Sequence, residues 1–120
     1  MSLRDNLSSI VASVDGAMAA MIMAYDGIPI DEVVQPDADM DLQLLSVEYT
    51  TILKEIKRAV EVLKAGEMEE VSISTTRTRI VVRVLNSDLF AALIMKHDGN
   101  YGKGRYLLRL KGSTMAEELS

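Results

Sequence analysis

The chain predicts an α+β fold, a three-layer α/β/α arrangement around a five-stranded antiparallel sheet of strand order 2-1-5-4-3. Three observations carry that prediction. Ala17 to Tyr25 and Leu89 to Met95 are apolar runs too short for helices in their settings, and each suits a central strand covered on both faces. Asp41 to Ala65 is the longest uninterrupted helical pattern, about 37 Å at about 1.5 Å per residue, enough to cross a small domain. Pro29 removes one ladder donor from the strand that follows the first run, which puts that strand at a sheet edge. The long helix then crosses one face from the second strand to the third, and two terminal helices cover the other.

Each element has its own reason. Ser2 to Val14 is a short amphipathic helix with Leu3, Leu7, Ile10, Val11 and Val14 on one face, Ser2 as N-cap and Asp5 at the positive end of the dipole. Asp15-Gly16 stops it. After the first strand, Asp26-Gly27 predicts a two-residue primed hairpin turn, with Ile28 to Val34 as the return strand. Met18, Met21 and Met23 are read as core filler. Pro36 ends the hairpin, and Asp37, Asp39 and Asp41 lead into the long helix.

Those three aspartates with Glu48 echo the oxygen spacing of a calcium loop, but Leu42 stands where the loop requires glycine. Capping of free N–H groups is the better reading. Along the long helix, Leu42, Leu45, Tyr49, Ile52, Ile56, Ala59 and Leu63 form one stripe, widened by Leu53 and Val60. Gly66 is expected at its left-handed cap. Met68 to Thr76 alternates Val71, Ile73 and Thr75 with Ser72, Ser74 and Thr76, and Arg79 to Leu85 sets Ile80, Val82 and Val84 against Arg79, Val81 and Arg83. Turns are expected at Thr76-Arg77-Thr78 and Asn86-Ser87-Asp88. Tyr101 to about Leu119 reads as the last helix, with Leu107, Leu108, Leu110 and Met115 buried and Gly112 weakening its continuity.

The 120 residues fit a single domain, residues 1–120. No apolar run reaches the roughly 18 residues that would suggest a membrane span. The absence of cysteine and of a charged-then-apolar opening segment leads to the expectation of a cytoplasmic protein. A net charge of −5 argues against general nucleic-acid binding, although Arg4 is the sole basic residue before Lys54. His97 is the only histidine and has no cysteine to share a metal with. Gly99, Gly102 and Gly104 around Lys103 lack the P-loop spacing and its following Ser/Thr, so they are assigned to the last strand-to-helix connection. No cofactor, metal or catalytic residue is expected.

Two features predict self-association. The third strand carries neither proline nor an inward charge along Val71, Ser72, Ile73, Ser74 and Thr75, so its edge lacks the usual protection against pairing. Leu44, Val47, Thr51 and Val62 lie outside the buried stripe, where a twin helix could pack. The alternative is that they are isolated apolar surface residues, which are common.

The segments MIMAYDGIPID and LIMKHDGNYGKGRYLLRL, with the long helix between them, resemble the Roadblock (dynein light chain) family on its profilin-like scaffold. The resemblance spans essentially the whole chain. It implies a homodimer or heterodimer with third strands paired edge to edge and long helices side by side. It further implies a partnership with small Ras-like GTPases, or with dynein motors in eukaryotic members. On that basis Lys54, Lys57 and Arg58 become candidates for docking an acidic GTPase surface, the alternative being the solvated side of an amphipathic helix. Lys103, Arg105, Arg109 and Lys111 form a second basic stretch, read in the same two ways.

Overall fold

The two apolar runs become the strands at the middle of the sheet. In the computed structural model, which describes residues 2–119, α1 (Leu3–Ser13) is followed by β1 (Ala17–Ala24), β2 (Pro29–Val34), α2 (Leu42–Val62), β3 (Glu70–Ser74), β4 (Thr78–Val84), β5 (Leu89–Lys96) and α3 (Tyr101–Glu118). The strands form one antiparallel sheet in the order β2-β1-β5-β4-β3, as the apolar runs and Pro29 predict.

Strand alternation divides the core into two. On one face Ala20, Ile22, Val81 and Leu93 pack against Leu7, Ile10 and Val11 of α1 and Leu108 and Met115 of α3. On the other Met21, Met23, Ile80, Val82, Phe90 and Ile94 pack against Leu53 of α2. Met21 and Met23 are thus core residues, while Met18 is partly buried at its margin. Each fully buried side chain of this size contributes about 1.5–3 kcal/mol relative to exposure.

The ends of the elements show where local chemistry differs from the prediction. Ser2 and Asp5 form a reciprocal capping box at α1. Gly27 has φ +91°, but Asp26 does not share a positive φ, so the hairpin is not a two-residue primed turn. The Gly27 amide donates to Ala24 O and the Ala24 amide to Ile28 O, giving a three-residue loop, Tyr25-Asp26-Gly27, with glycine in the left-handed position. Asp41 caps α2 by accepting from the Leu44 amide at 3.0 Å, the role expected of it.

The other end of α2 closes earlier than Gly66. Lys64, at φ 53°, occupies the left-handed position. The Lys64 amide donates to Glu61 O and the Ala65 amide to Val60 O, the paired bonds of a Schellman motif. Gly66, although also left-handed at φ +98°, lies beyond that motif in the connection to β3.

The buried stripe of α2 is rotated from the expected one. Thr50 and Leu53 are its buried residues, with Leu42, Ser46, Tyr49, Lys57 and Val60 half-buried around them. Ile52, Ala59 and Leu63, expected inward, are exposed, Leu63 at 74%. At about 100° per residue the inward line through Leu53 lies roughly 70° from the expected one. In α3, Leu108 and Met115 are buried as expected and Leu107 partly so, but Leu110 is 54% exposed. Gly104 and Gly112 take the remaining buried positions, because the helix lies close on the sheet there.

Candidate partner-binding surface

The open edge of β3 is built by the alternation of an antiparallel pair. The Val84 amide donates to Glu69 O and the Thr75 amide to Thr78 O, which fixes the odd-numbered residues as those bonded to β4. The backbone groups of Glu70, Ser72 and Ser74 therefore point away from the sheet. β3 has one neighbour, so this edge is unpaired. Val71 packs on the α2-side core, and Ser72 and Ser74 face the α3 side, both exposed. Ile73 is half-buried and Thr75 exposed. Thr75 turns the chain toward β4, its hydroxyl accepting from the Arg77 and Thr78 amides.

On α2 the flank of Leu44, Val47 and Val62 is exposed at 58%, 54% and 68%, with exposed Thr51 among them. Thr51 donates its hydroxyl to the Val47 carbonyl one turn back. The rotation of the helix adds Ile52 and Leu63 to the apolar surface that α2 exposes, a larger area than periodicity alone indicates.

The three basic positions of α2 separate in role. Lys57 reaches across to donate to the Ser87 carbonyl at 2.8 Å, and its ammonium lies 4.5 Å from the Tyr25 ring centre. It fastens the helix to the turn between β4 and β5. Tyr25 itself packs on Phe90, and burial raises its phenolic pKa. Arg58 pairs with Glu55 on the helix surface, and Lys54 is exposed. The three share a shallow cleft that also contains Asp26, Glu61 and Asp88, so its charge is mixed.

The second basic stretch divides as well. Arg105 grips the Glu70 carboxylate with three hydrogen bonds of 2.6–2.9 Å, joining α3 to the open edge strand. Those bonds hold the Glu70 carboxyl below the ordinary carboxylate range, and the charges of Arg105, Arg83 and Arg109 act in the same direction. Tyr101 shares a hydrogen bond with Ser72, and the Arg79 guanidinium lies 5.1 Å from the Tyr101 ring centre. Sequence spacing carries no trace of the Arg105–Glu70 pair, since 35 residues separate the partners. The inward-outward alternation of β3 does place Ser72 on the face that α3 covers.

His97 is exposed beyond β5, its amide donating to the Arg77 carbonyl. Among the described residues no group of three or more His, Cys, Asp or Glu is placed to hold a metal ion, and no helix is long and apolar enough to cross a membrane. Of the three glycines assigned to the connection into α3, Gly99 lies in it, whereas Gly102 and Gly104 fall inside α3 itself. A Cβ on Gly99 would lie 2.7 Å from Asp15 O, and one on Gly104 would lie 2.8 Å from Leu93 Cδ2, while Gly102 has open space.

No family model matches the sequence, and no curated protein matches it. Solved structures do. MglC from Myxococcus xanthus is 38% identical over 98% of this chain and 99% of its own, with a TM-score of 0.73. A Roadblock/LC7 domain from Streptomyces avermitilis is 15% identical over 99% of this chain and 98% of its own, with a TM-score of 0.83. The gliding protein MglB from Thermus thermophilus is 14% identical over 98% of this chain and 89% of its own, with a TM-score of 0.85. The latter two show the fold, whereas the identity to MglC along nearly the full length of both chains shows kinship. With the strand order, the crossing long helix and the two quoted segments all in place, the chain belongs to the Roadblock/LC7 family.

Proposed function

We propose that residues 1–120 act as a single Roadblock unit in the cytoplasm, a homodimeric and non-catalytic regulator of a small Ras-like GTPase. The two copies join through the β3 edges at Val71, Ser72, Ile73, Ser74 and Thr75. The two α2 helices pack along Leu44, Val47, Thr51 and Val62, and together they present one platform to the GTPase. Lys54 and Arg58 assist encounter with an acidic partner, while Lys57 holds the platform to the β4–β5 turn.

The observation that carries this reading is the coincidence in one chain of an unpaired, proline-free strand edge with a helix that leaves Leu44, Val47, Ile52, Val62 and Leu63 in water. Family membership supplies the kind of partner. The test is phosphate release by the cognate GTPase with and without the purified chain, alongside sedimentation at micromolar concentration. The expected results are a mass of twice 13.2 kDa and a changed rate of release. Binding with no change in rate would make the protein a structural adaptor, and a monomer that ignores the GTPase would overturn the proposal.

A further inference from the structure

The face of the sheet opposite α2 carries a feature that GTPase regulation does not use. Between α3 and the β3–β4 pair runs a cleft of about 450 Å³, lined by Glu70, Arg83, Tyr101, Arg105, Tyr106 and Arg109. Topology alone gathers these groups. Arg79 and Arg83 lie two strand positions from Val81 on each side, hence on the α3 face, and Arg105 and Arg109 are one turn apart on the helix.

Guanidinium groups outnumber carboxylates around this cleft. Arg79, Arg83, Arg105 and Arg109 stand against Glu69 and Glu70. Arg105 holds Glu70 bidentately, but Arg83 reaches Glu69 only at 3.7 Å. Arg109 lies over the ring of Tyr106, itself 52% exposed. The Arg79 Nε is buried beside Tyr101 with no hydrogen-bond partner, so a donor is left unused at the cleft's end.

We infer that this cleft binds an extended, acidic segment of a partner protein, whose carboxylates pair with Arg83 and Arg109 while its intervening side chains lie on Tyr101 and Tyr106. Glu70 on Arg105 shows the intended chemistry, since a planar carboxylate already sits in a guanidinium fork there. A nucleic-acid strand suits it less well. The chain carries a net −5, and up to Leu53 it has nine acidic residues against Arg4 alone, a field that repels a long polyanion. A bilayer suits it less well too, because these arginines lie in a concavity rather than on a projecting surface. The cleft is formed within a single chain, by β3, β4 and α3.

The test is fluorescence anisotropy of a fluorescein-labelled octaglutamate peptide titrated with the full chain. Binding is expected, weakening as salt rises from about 20 to about 300 mM. Arg109→Glu and Arg83→Gln, each checked for an unchanged circular dichroism spectrum, are expected to weaken it, the former by about tenfold or more. Lys64→Glu makes the same charge change at the exposed end of α2 and is expected to leave affinity within about twofold, because screening confines such charges to a Debye length. Equal loss with Lys64→Glu, no loss with Arg109→Glu, or no peptide binding while phosphatidylserine vesicles or labelled oligothymidylate bind would each overturn the assignment.

Discussion

Three glycines in one helix make a test whose sign depends on packing alone. Replacing glycine by alanine inside a helix gains about 0.8–1.0 kcal/mol from propensity, whatever surrounds it. At Gly104 the added methyl would lie 2.8 Å from Leu93 Cδ2, 3.1 Å from Met95 Sδ and 3.4 Å from Val14 Cγ1. Leu93 and Met95 are both at 0% exposure, so the neighbours must move inside a filled core. Overpacking of that kind costs about 1–3 kcal/mol, and the net effect of Gly104→Ala is a loss of about 1 kcal/mol. At Gly112 the nearest atoms are Arg83 Cγ at 3.4 Å and Leu85 Cδ2 at 3.6 Å, close to ordinary contact and on a flexible stem. Gly112→Ala therefore keeps most of the propensity gain, about 0.5–1 kcal/mol. Gly102→Ala meets nothing within 4 Å and is stabilising as well, though less so in a first turn. Urea unfolding followed by circular dichroism measures all three, at one fixed protein concentration. A Gly104→Ala protein as stable as Gly112→Ala would refute the close packing of α3 on β5.

Three more expectations follow from other parts of the fold. The Arg105 hydrogen bonds lower the folded pKa of Glu70, so its contribution is full above the unfolded value and is lost as pH falls through the folded one. Between about pH 6 and pH 3, urea unfolding should show wild type losing more stability than Glu70→Gln, and parallel curves would remove Glu70 from the acid response. Lys64→Gly relieves a left-handed lysine at φ 53° and is expected to stabilise by about 0.5–1 kcal/mol in the same assay, whereas Lys64→Ala should not. If the proposed pairing of α2 helices holds, Val62→Asp places a charge on a residue 68% exposed in the protomer, leaving the fold intact but halving the sedimenting mass. An unchanged mass would remove Val62 from that interface.

Much of the architecture was legible because a few residues have no other reading. The two apolar runs identify the central strands, and Pro29 marks an edge, which leaves little freedom in strand order. Turn geometry was harder to read. Asp26-Gly27 indicates a left-handed glycine, but whether the loop holds two residues or three depends on the register of β2 against β1, which has its own irregularity at Ile22/Met23. Gly66 drew the helix end toward itself, although Lys64 accepts the strained position because the Schellman bonds to Val60 and Glu61 repay part of its cost. At the candidate surface the β3 edge was visible in sequence as an absence of proline and inward charge. The pairing of Glu70 with Arg105 was not visible, because only the docking of α3 over β3 brings them together.

The rotation of α2 connects these local differences to the proposed role. Periodicity finds an apolar stripe but does not say what covers it, and α2 carries apolar residues around more than half its circumference. Its own sheet takes the line through Leu53, the one large apolar side chain of the helix that is fully buried. A helix that served only as a lid would be expected to turn its strongest stripe inward, since each large apolar side chain fully buried gains about 1.5–3 kcal/mol. Instead Thr50 and half-buried Lys57 occupy part of the inward side, while Ile52 and Leu63 point out with Leu44, Val47 and Val62. Lys57 explains how this orientation is held, because its bond to Ser87 and its place over Tyr25 would be lost if the helix turned to bury Ile52. Lys57→Ala is therefore expected to loosen the orientation of α2 rather than remove a docking charge. Hydrogen exchange along residues 42–62 distinguishes the two, with faster exchange in the isolated chain for the first and no change for the second.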